Sequence, residues 1–493
     1  MTVTLDFVPS TGCSMEFEIL SHAGLRIEHG GSTLIVDPWL IGSAYWRSWW
    51  NYPPVDHTRV RALKADFIYL SHIHWDHFHG PSLRMLGRDA QVLIPEDRYS
   101  RMRDDLRAMG FKRVIELPHG KSFTLSADFA ITPFLFFPLT DSMLAVRAGN
   151  TVLLDANDCK ICGLPLRHVK RQFPSIDFVL RSHSSANTRV CHEYLDGDNS
   201  NYDGVDDKEG YLRSFANFMS AVKPRYAVPF ASNHCHLHRE ARRFNRWQQT
   251  PKDVQDYFRR YKVETGIATE LVTMLPGSVW NDRTRFSLAS EARWFSDRER
   301  QIEAYADANA GTLAAQYALE DKVVVSEADL RKYFDRLHTH IPWFWRRRFG
   351  GRPVYLNSRS GERSDLWKID VHANSVTRVA EEEYLSSDMR IEMPAIILRQ
   401  ALRMNMFGHA GISKRVKWIV TKRSAKLLGF FMLMLDLEEY ELIPLRRNLS
   451  WRSLRVWWRR WREVLGYAQL TWIMRSRKIA GKEVEQVALL EYS

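Results

Sequence analysis

The stretch SHIHWDHFHG, residues 71–80, follows the apolar segment DFIYL and decides the fold class. Its pattern His-x-His-x-Asp-His places four side chains that can bind a metal within six residues. Because side chains alternate along an extended chain, His72 and His74 should point the same way, and the following turn should bring Asp76 and His77 to a second position. Imidazole and carboxylate ligands suit zinc, iron or manganese, and the carboxyl end of a strand is where sites lie in layered α/β domains. The stretch therefore predicts a metal site at a sheet edge.

The chain has 493 residues, which is long enough for about three domains. Hairpin-like strands come first and are followed by strands that alternate with helices, which predicts an α/β domain over residues 1–285. Residues 286–445 mix helical and strand-like segments, with helices expected around 391–403 and 414–435, and predict a smaller α/β domain. Residues 446–493 predict a basic, Trp-rich amphipathic helical tail.

The pattern in residues 71–80 resembles the signature of the metallo-β-lactamase fold, and other residues resemble further motifs of that fold. Asp37 resembles its structural aspartate, Asp158 the aspartate that bridges two metals, and His238 the late histidine of the second metal position. His22, in SHAG, resembles a histidine of the lactonase-like members. The resemblance implies an αββα sandwich with a smaller C-terminal α/β domain. It also implies catalytic carboxylates at Asp76 and Asp158, and metal ligands at His72, His74, Asp76, His77, Asp158 and His238.

Several segments more narrowly resemble the CMP-N-acetylneuraminate hydroxylase family and its bacterial relatives. These segments are DPWLIGSAYWRSWW (37–50), SHIHWDH, LTDSMLAV (139–146), the Asn157-Asp158-Cys159 turn, PFAS (229–232) and Pro276-Gly277. That family carries an N-terminal Rieske iron–sulfur domain with paired Cys-x-His and Cys-x-x-His ligands, and the sequence contains no such pair. The resemblance therefore implies oxygenase chemistry whose electrons come from a separate protein or from the substrate.

One motif of the metallo-β-lactamase fold is altered. Its third histidine should fall near FFPLTD, where Phe137 cannot bind a metal. His183 is the predicted replacement, because its strand DFVLRS should run beside the strand that leads to Asp158. Other candidate ligands are His234, His236, Asp141 and His192.

Two kinds of chemistry fit such a site. A metal-bound water can attack a phosphodiester, lactone or amide, and zinc would serve that reaction. Iron with open coordination positions can instead support oxidation by O₂. The altered ligand set and the family resemblance favour an iron-dependent oxygenase, with one or two iron ions, that hydroxylates a C–H or N–H bond of a small substrate. A zinc-dependent hydrolase is the alternative.

Three side chains near these motifs are predicted to contact the substrate. Arg181 and Arg189 flank His183, and a guanidinium can clamp a carboxylate or phosphate with two hydrogen bonds. Trp75 lies within the metal motif and would wall a dry pocket. A small molecule, with an anionic one as a candidate, is the expected partner.

The tail carries most of the excess charge of the chain. From Arg446 onward there are eleven Lys or Arg and four Asp or Glu, so the tail holds seven of the twelve net positive charges. An apolar stripe recurs there at spacings of three and four residues: Trp451, Leu454, Trp458, Trp461, Leu465, Ala468 and Trp472. Such a helix can pack back on the protein, lie on an anionic membrane surface or bind a protein partner. No nucleic-acid partner is expected, because no nucleic-acid-binding module accompanies the stripe.

Cysteine usage and apolar runs predict where the protein works. Five cysteines, an odd number, are scattered along the chain, and the N-terminus lacks a signal-peptide pattern. The longest apolar run, residues 427–435, is about half of what a membrane span requires. A cytoplasmic location, or a peripheral one at a membrane, is therefore expected.

Overall fold

Two large β-sheets form the centre of the first part of the chain; the computed structural model describes residues 14–136, 141–184, 186, 188–197 and 208–476. The first sheet has eight strands, in the spatial order Arg285–Ser287, Val279–Asn281, Glu16–Ile19, Leu25–His29, Ser32–Val36, Phe67–Tyr69, Gln91–Pro95 and Val114–Leu117. The second has seven, in the order Glu270–Leu271, Tyr226–Phe230, Phe178–Ser182, Thr151–Asn157, Ser142–Ala148, Phe129–Leu135 and Phe123–Ser126.

The two sheets face each other across an apolar core. Leu34 and Val36 lie in this core, whereas Ile35 between them packs on the opposite face of the first sheet. Leu153 and Leu154 divide the faces of the second sheet in the same way. Since side chains alternate along a strand, both faces of each sheet are apolar and the outer faces need helical cover. The first sheet is covered by His57–Arg61, Gly80–Leu86 and Arg101–Ala108, and the second by Gly163–Gln172, Lys208–Val222 and Pro251–Thr265. The predicted αββα sandwich is confirmed.

Local sequence signals set the ends of several of these helices. Helix Pro251–Thr265 begins at a capping box, in which Thr250 and Asp253 satisfy each other's backbone N–H groups. It ends at Gly266, whose φ of 67° is the left-handed conformation that glycine adopts without strain. These boundaries therefore follow from neighbouring residues alone.

A third sheet, of six strands, lies at the centre of the second part of the chain. Its spatial order is His192–Tyr194, Lys417–Val420, Met389–Pro394, Val354–Ser360, Arg363–Asp370 and Ser375–Arg378. The helices of this part are Ala292–Phe295, Arg298–Ala308, Ala310–Glu320, Glu327–His340, Trp343–Arg346, Glu381–Ser386, Ala395–Met404, Phe407–Ile412 and Ala425–Glu439. A small sheet (His234–His236, Trp49–Asn51, Ser43–Ala44) and 3₁₀ helices (Thr188–Cys191, Arg242–Trp247, Arg347–Phe349, Leu445–Leu449) complete the elements before the tail.

The packing around the third sheet crosses the domain boundary predicted at residue 285. Strand His192–Tyr194 comes from the first part of the chain and pairs in parallel with Lys417–Val420. Trp49 packs in the same apolar cluster as Trp367 and Trp418. The two parts therefore share one core.

Two helices, Trp451–Arg459 and Trp461–Ser476, form the described part of the tail, with a break at Arg460. The first of them is tied to the edge of the first sheet, because Arg452 pairs with Glu116. In the described part of the chain, no helix combines the length and the apolarity that crossing a bilayer requires.

Arg415 joins the two parts through a buried ion cluster, and its removal should destabilise the fold. Its guanidinium lies 2.6 Å from Glu320 Oε2 and 2.7 Å from Glu240 Oε2. Burial raises the pKa of Glu320, but the hydrogen bonds from His238 and Arg415 bring it down to about 2, so Arg415→Ala would leave a buried carboxylate without its cation. We expect this variant to lower the free energy of unfolding by about 3–5 kcal/mol, measured by urea denaturation at pH 7. Arg359→Ala, which removes a half-exposed partner of Glu240, should cost less than about 1 kcal/mol, and equal losses would contradict this account.

Candidate metal centre

Asp37 anchors the loop of residues 71–80. Its Oδ1 accepts the backbone N–H of Ser71 at 2.8 Å, and its Oδ2 accepts the Ser71 hydroxyl at 2.5 Å. A third hydrogen bond, of 2.7 Å, joins Oδ2 to Nδ1 of His77. A carboxylate at Nδ1 orients an imidazole and leaves its Nε2 to face a metal. Asp37, which is completely buried, therefore has the structural role that the family resemblance implies.

Three groups of side chains, each with two histidines and one aspartate, gather around this loop. Within each group, one ligand atom per residue lies within 4.8 Å of the others. The groups share His72 and His77, so they form one continuous centre. Their members are His72, His74 and Asp141; His72, His77 and Asp158; and His22, Asp76 and His77.

The state of His72 fits a metal ligand. Its Nδ1 lies 2.9 Å from the Ser71 hydroxyl, and its Nε2 is buried without a hydrogen-bond partner among the described residues. Burial, together with the neighbouring His77, lowers the pKa of His72 to about 4. The ring is therefore neutral at pH 7, with a lone pair available for a cation.

His74 is held from the second part of the chain. Its Nε2 lies 3.2 Å from the hydroxyl of Tyr440, and burial lowers its pKa to about 4. His409 hydrogen-bonds the carbonyl oxygen of Ile73 through its Nε2 at 3.1 Å and Glu439 through its Nδ1. The second part thus supplies outer contacts that orient the metal loop.

The aspartates of the centre concentrate negative charge. Burial raises the pKa of Asp76, but His77 and His22 hold it well below its usual value. Burial likewise raises the pKa of Asp158, and the hydrogen bond from His77 brings it well below the usual value. For Asp141 burial prevails and raises the pKa to about 6. With three carboxylates beside the neutral imidazoles of His72 and His74, the residues present fit one or two divalent cations.

Two residues that the sequence predicted as ligands are not members of these groups within the described residues. His238 has its Nε2 3.4 Å from Glu320 Oε2, in the cluster around Arg415. His183 is buried after strand Phe178–Ser182 and its backbone N–H donates to Ser232 Oγ at 3.0 Å. Within the described ranges, neither residue belongs to a group.

The remaining candidate histidines also lie outside the three groups in the described part of the chain, although His234 lines a cavity beside the centre. His234 stacks on Trp49 with ring centroids 3.6 Å apart, and His236 follows on the same short strand. His192 begins the strand that pairs with Lys417–Val420. Phe137, at the position of the altered motif, lies outside the described residues.

Among the described residues, Asp141 and His22 belong to the groups, whereas His183 and His238 do not. A sequence signal exists for both: Asp141 follows Phe137 by four residues, and His22 lies in the SHAG segment. Neither residue belongs to the metal motif of residues 72–77. Asp141 and His22 reach that motif only because strands that are distant in sequence pack together in the fold.

A cavity of about 290 Å³ opens onto the centre. Tyr45 and Trp49 line it, and the Tyr45 hydroxyl donates to Asp76 Oδ1 at 2.5 Å. Burial and the neighbouring Asp76 raise the pKa of Tyr45 well above its usual value, so the phenol stays protonated and remains a donor. The polar lining includes Lys160, Ser182, Ser184, Tyr211 and Ser232.

The side chains predicted to contact substrate are placed differently. Trp75 stacks on Tyr45 with ring centroids 5.8 Å apart, but it does not line the cavity. The guanidinium of Arg181 is buried 4.1 Å from the ring centroid of Phe218 and does not line the cavity either. The side chain of Arg189 lies outside the described residues. Lys160 is the cationic lining residue, and its Nζ is 3.2 Å from Ser182 Oγ.

Replacing Asp141 should remove metal. Asp141→Ala removes one of the three side chains in the group His72, His74 and Asp141. We therefore expect the affinity for metal to fall at least about tenfold. The measurement is metal content by mass spectrometry after dialysis against a graded chelator series. His183→Ala is the matched control, because it removes a buried histidine outside the three groups. Loss of metal from that control, with retention in Asp141→Ala, would favour the ligand predicted from the sequence.

Metal binding should weaken as the pH falls through 6. Below a pH of about 6 the Asp141 carboxyl takes up a proton that competes with the cation, which costs up to about tenfold in affinity per pH unit. His72 and His74, with pKa values of about 4, stay neutral there, and His77 contributes equally to the wild type and to Asp141→Asn. Metal titrations at pH 5, 6 and 7 should therefore give a steeper slope for the wild type. Equal slopes would remove Asp141 from the coordination sphere.

The chain is similar in sequence to one family model and to several known proteins. A family model described as a beta-lactamase superfamily domain matches residues 16–138. A protein of Mycobacterium tuberculosis (strain ATCC 25618 / H37Rv), named as a putative Rieske 2Fe-2S iron-sulfur protein, is 26% identical over 331 residues, which cover 62% of this chain and 62% of that protein. Cytidine monophosphate-N-acetylneuraminic acid hydroxylase of Mus musculus is 30% identical over 153 residues, covering 29% of this chain and 26% of the hydroxylase.

The chain thus spans about 62% of the length of the first curated relatives that it matches. Among solved structures, CmlA, a diiron beta-hydroxylase from Streptomyces venezuelae, is 14% identical with a TM-score of 0.37, over 56% of this chain and 55% of that one. The predicted metallo-β-lactamase fold is confirmed by the superfamily match over the strands and metal loop. This chain therefore carries a beta-lactamase superfamily domain and has homologues among the cytidine monophosphate-N-acetylneuraminic acid hydroxylases and the mycobacterial proteins named for a Rieske centre.

Proposed function

We propose that this protein is an iron-dependent oxygenase that uses O₂ to hydroxylate a C–H or N–H bond of a small substrate. One observation carries the proposal: each ligand group combines two histidines with one aspartate. Two histidines and a carboxylate, with open positions, are typical of non-haem iron(II) oxygenases. Asp141 supplies the carboxylate of the group that contains His72 and His74.

The names of the relatives agree with this proposal. One group of homologues is named for hydroxylation and another for a Rieske iron–sulfur centre. An oxygenase needs electrons, and we propose that a separate redox protein or the substrate delivers them to this chain. Iron, at one or two ions per chain, would supply the redox chemistry, while the protein supplies binding, orientation and exclusion of water.

The cavity lining suggests how the substrate is held. The Lys160 ammonium can pair with a carboxylate or phosphate, and Ser182 beside it can extend that contact. Tyr45 and Trp49 form an apolar wall that limits water. We therefore propose a small anionic substrate whose reacting bond faces His74 and Asp141.

Asp76 and Asp158 are proposed to balance the charge of the metal ion. Asp76 and Asp158 have lowered pKa values and stay ionised at neutral pH, so they balance the charge of the cation. The Tyr45 hydroxyl holds the Asp76 carboxylate in one orientation. A zinc-dependent hydrolase is the second candidate, because histidine and carboxylate ligands also bind zinc, which activates a bound water molecule.

Metal analysis combined with an oxygen assay tests the proposal. Protein expressed in iron-supplemented medium should contain iron, and with ascorbate as electron donor it should consume O₂ at least about tenfold faster than Asp141→Ala. Arg359→Ala, changed at an ion pair outside the centre, should behave as the wild type. Stoichiometric zinc without iron, together with turnover of a phosphodiester or lactone, would overturn the oxygenase and support the hydrolase.

A further inference from the structure

The first tail helix, Trp451–Arg459, turns its apolar face to solvent. Trp451 and Trp458 are 79% and 78% exposed, and Leu454 between them is 45% exposed. Ser453 and Val456, on the opposite side of the helix, are buried. A helix that packs back on its own domain usually buries most of its apolar side chains, whereas this one buries Val456, half-buries Trp457 and leaves Trp451, Leu454 and Trp458 exposed.

Ion pairs hold the helix in this orientation. Arg455 and Arg459 reach Glu96 at 2.5 and 2.6 Å, and the Nε of Arg452 donates to the carbonyl oxygen of Asp97 at 2.8 Å. These three arginines tie the helix to residues 96 and 97 of the first part of the chain. The helix therefore cannot roll its tryptophans inward without breaking these contacts.

The second tail helix, Trp461–Ser476, also exposes apolar side chains. Trp461, Leu465 and Trp472 are 50%, 57% and 68% exposed. We call six exposed large apolar side chains of the two helices the tail face: Trp451, Leu454, Trp458, Trp461, Leu465 and Trp472.

A basic cavity adjoins the tail face where the two helices meet. Its volume is about 530 Å³, and Trp458 and Trp461 are part of its lining. The acidic lining residue, Glu463, is already paired with His119 and Arg460. The lining cations are Lys121, Arg459, Arg460 and Arg462, of which Arg459 and Arg460 are paired with Glu96 and Glu463.

We propose that the tail face docks this protein on an anionic phospholipid surface, with a lipid headgroup phosphate in the basic cavity. Tryptophan rings prefer the boundary between headgroups and acyl chains, because they combine a large apolar surface with a polar N–H. Residues 446–476 contain eight arginines and one glutamate, a charge complementary to such lipids. The apolar face and the cationic cavity adjoin, as the acyl and phosphate parts of one lipid do.

Vesicle flotation of the full chain tests this docking. The wild type should float with vesicles of phosphatidylglycerol and phosphatidylcholine, and bind pure phosphatidylcholine at least tenfold more weakly. The triple variant Trp451→Ser, Trp458→Ser, Trp461→Ser should lose at least tenfold in binding. Trp343→Ser with Phe344→Ser, which removes aromatic rings that are 61% and 49% exposed on another helix, is the matched control and should bind normally.

A second variant tests the basic cavity. Lys121→Ala with Arg462→Ala removes two exposed cations and should weaken binding to the anionic vesicles by about fivefold per charge, with binding to phosphatidylcholine unchanged. Equal binding to both kinds of vesicle would overturn the headgroup site. An unbound wild type, or unchanged binding of the triple variant, would overturn the docking. So would a wild-type dimer that becomes a monomer in the triple variant, because a second copy would then cover the tail face.

Discussion

The carboxylate of Asp37 is the interaction on which the centre depends. Strands Ser32–Val36 and Phe67–Tyr69 are parallel neighbours, so Asp37 and Ser71 emerge at the same sheet edge. The three hydrogen bonds that Asp37 accepts hold both the start of the metal loop and the ring of His77. Its burial makes these bonds strong, because water does not compete for them. Loss of this one side chain would free the loop and the imidazole together.

The second part of the chain does more than cover the sandwich. Tyr440 contacts the ring of His74, and His409 contacts the backbone of Ile73. Arg415 binds Glu240 and Glu320 from opposite parts of the chain, where unpaired charges would be costly. The two parts share an apolar core, so the geometry of the centre is coupled to the packing of the third sheet.

The tail shows how charge can override hydrophobic patterning. Arg452, Arg455 and Arg459 pair with acidic residues at the edge of the sandwich, and Trp451 and Trp458 remain exposed. The exposed apolar side chains can then contact a surface outside the protein. A stripe that looks like a packing face in the sequence is thus an outward face in the folded protein.

The sequence alone determined the fold class, the metal loop and much of the centre. His72, His74, Asp76 and His77 lie within one loop, and Asp158 closes a strand, so short spacing and strand alternation predict them. Capping residues such as Thr250 and Gly266 act locally and are equally readable.

The tertiary structure decided what depends on distant partners. Residues 391–394 and 417–420 were expected within helices, but Met389–Pro394 and Lys417–Val420 are neighbouring strands, since a central strand is selected by the strands beside it. Asp141 and His22 reach the centre through sheet packing that no local spacing encodes. The outward tryptophans likewise follow from acidic residues more than three hundred positions away, because electrostatic pairing acts between neighbours in space.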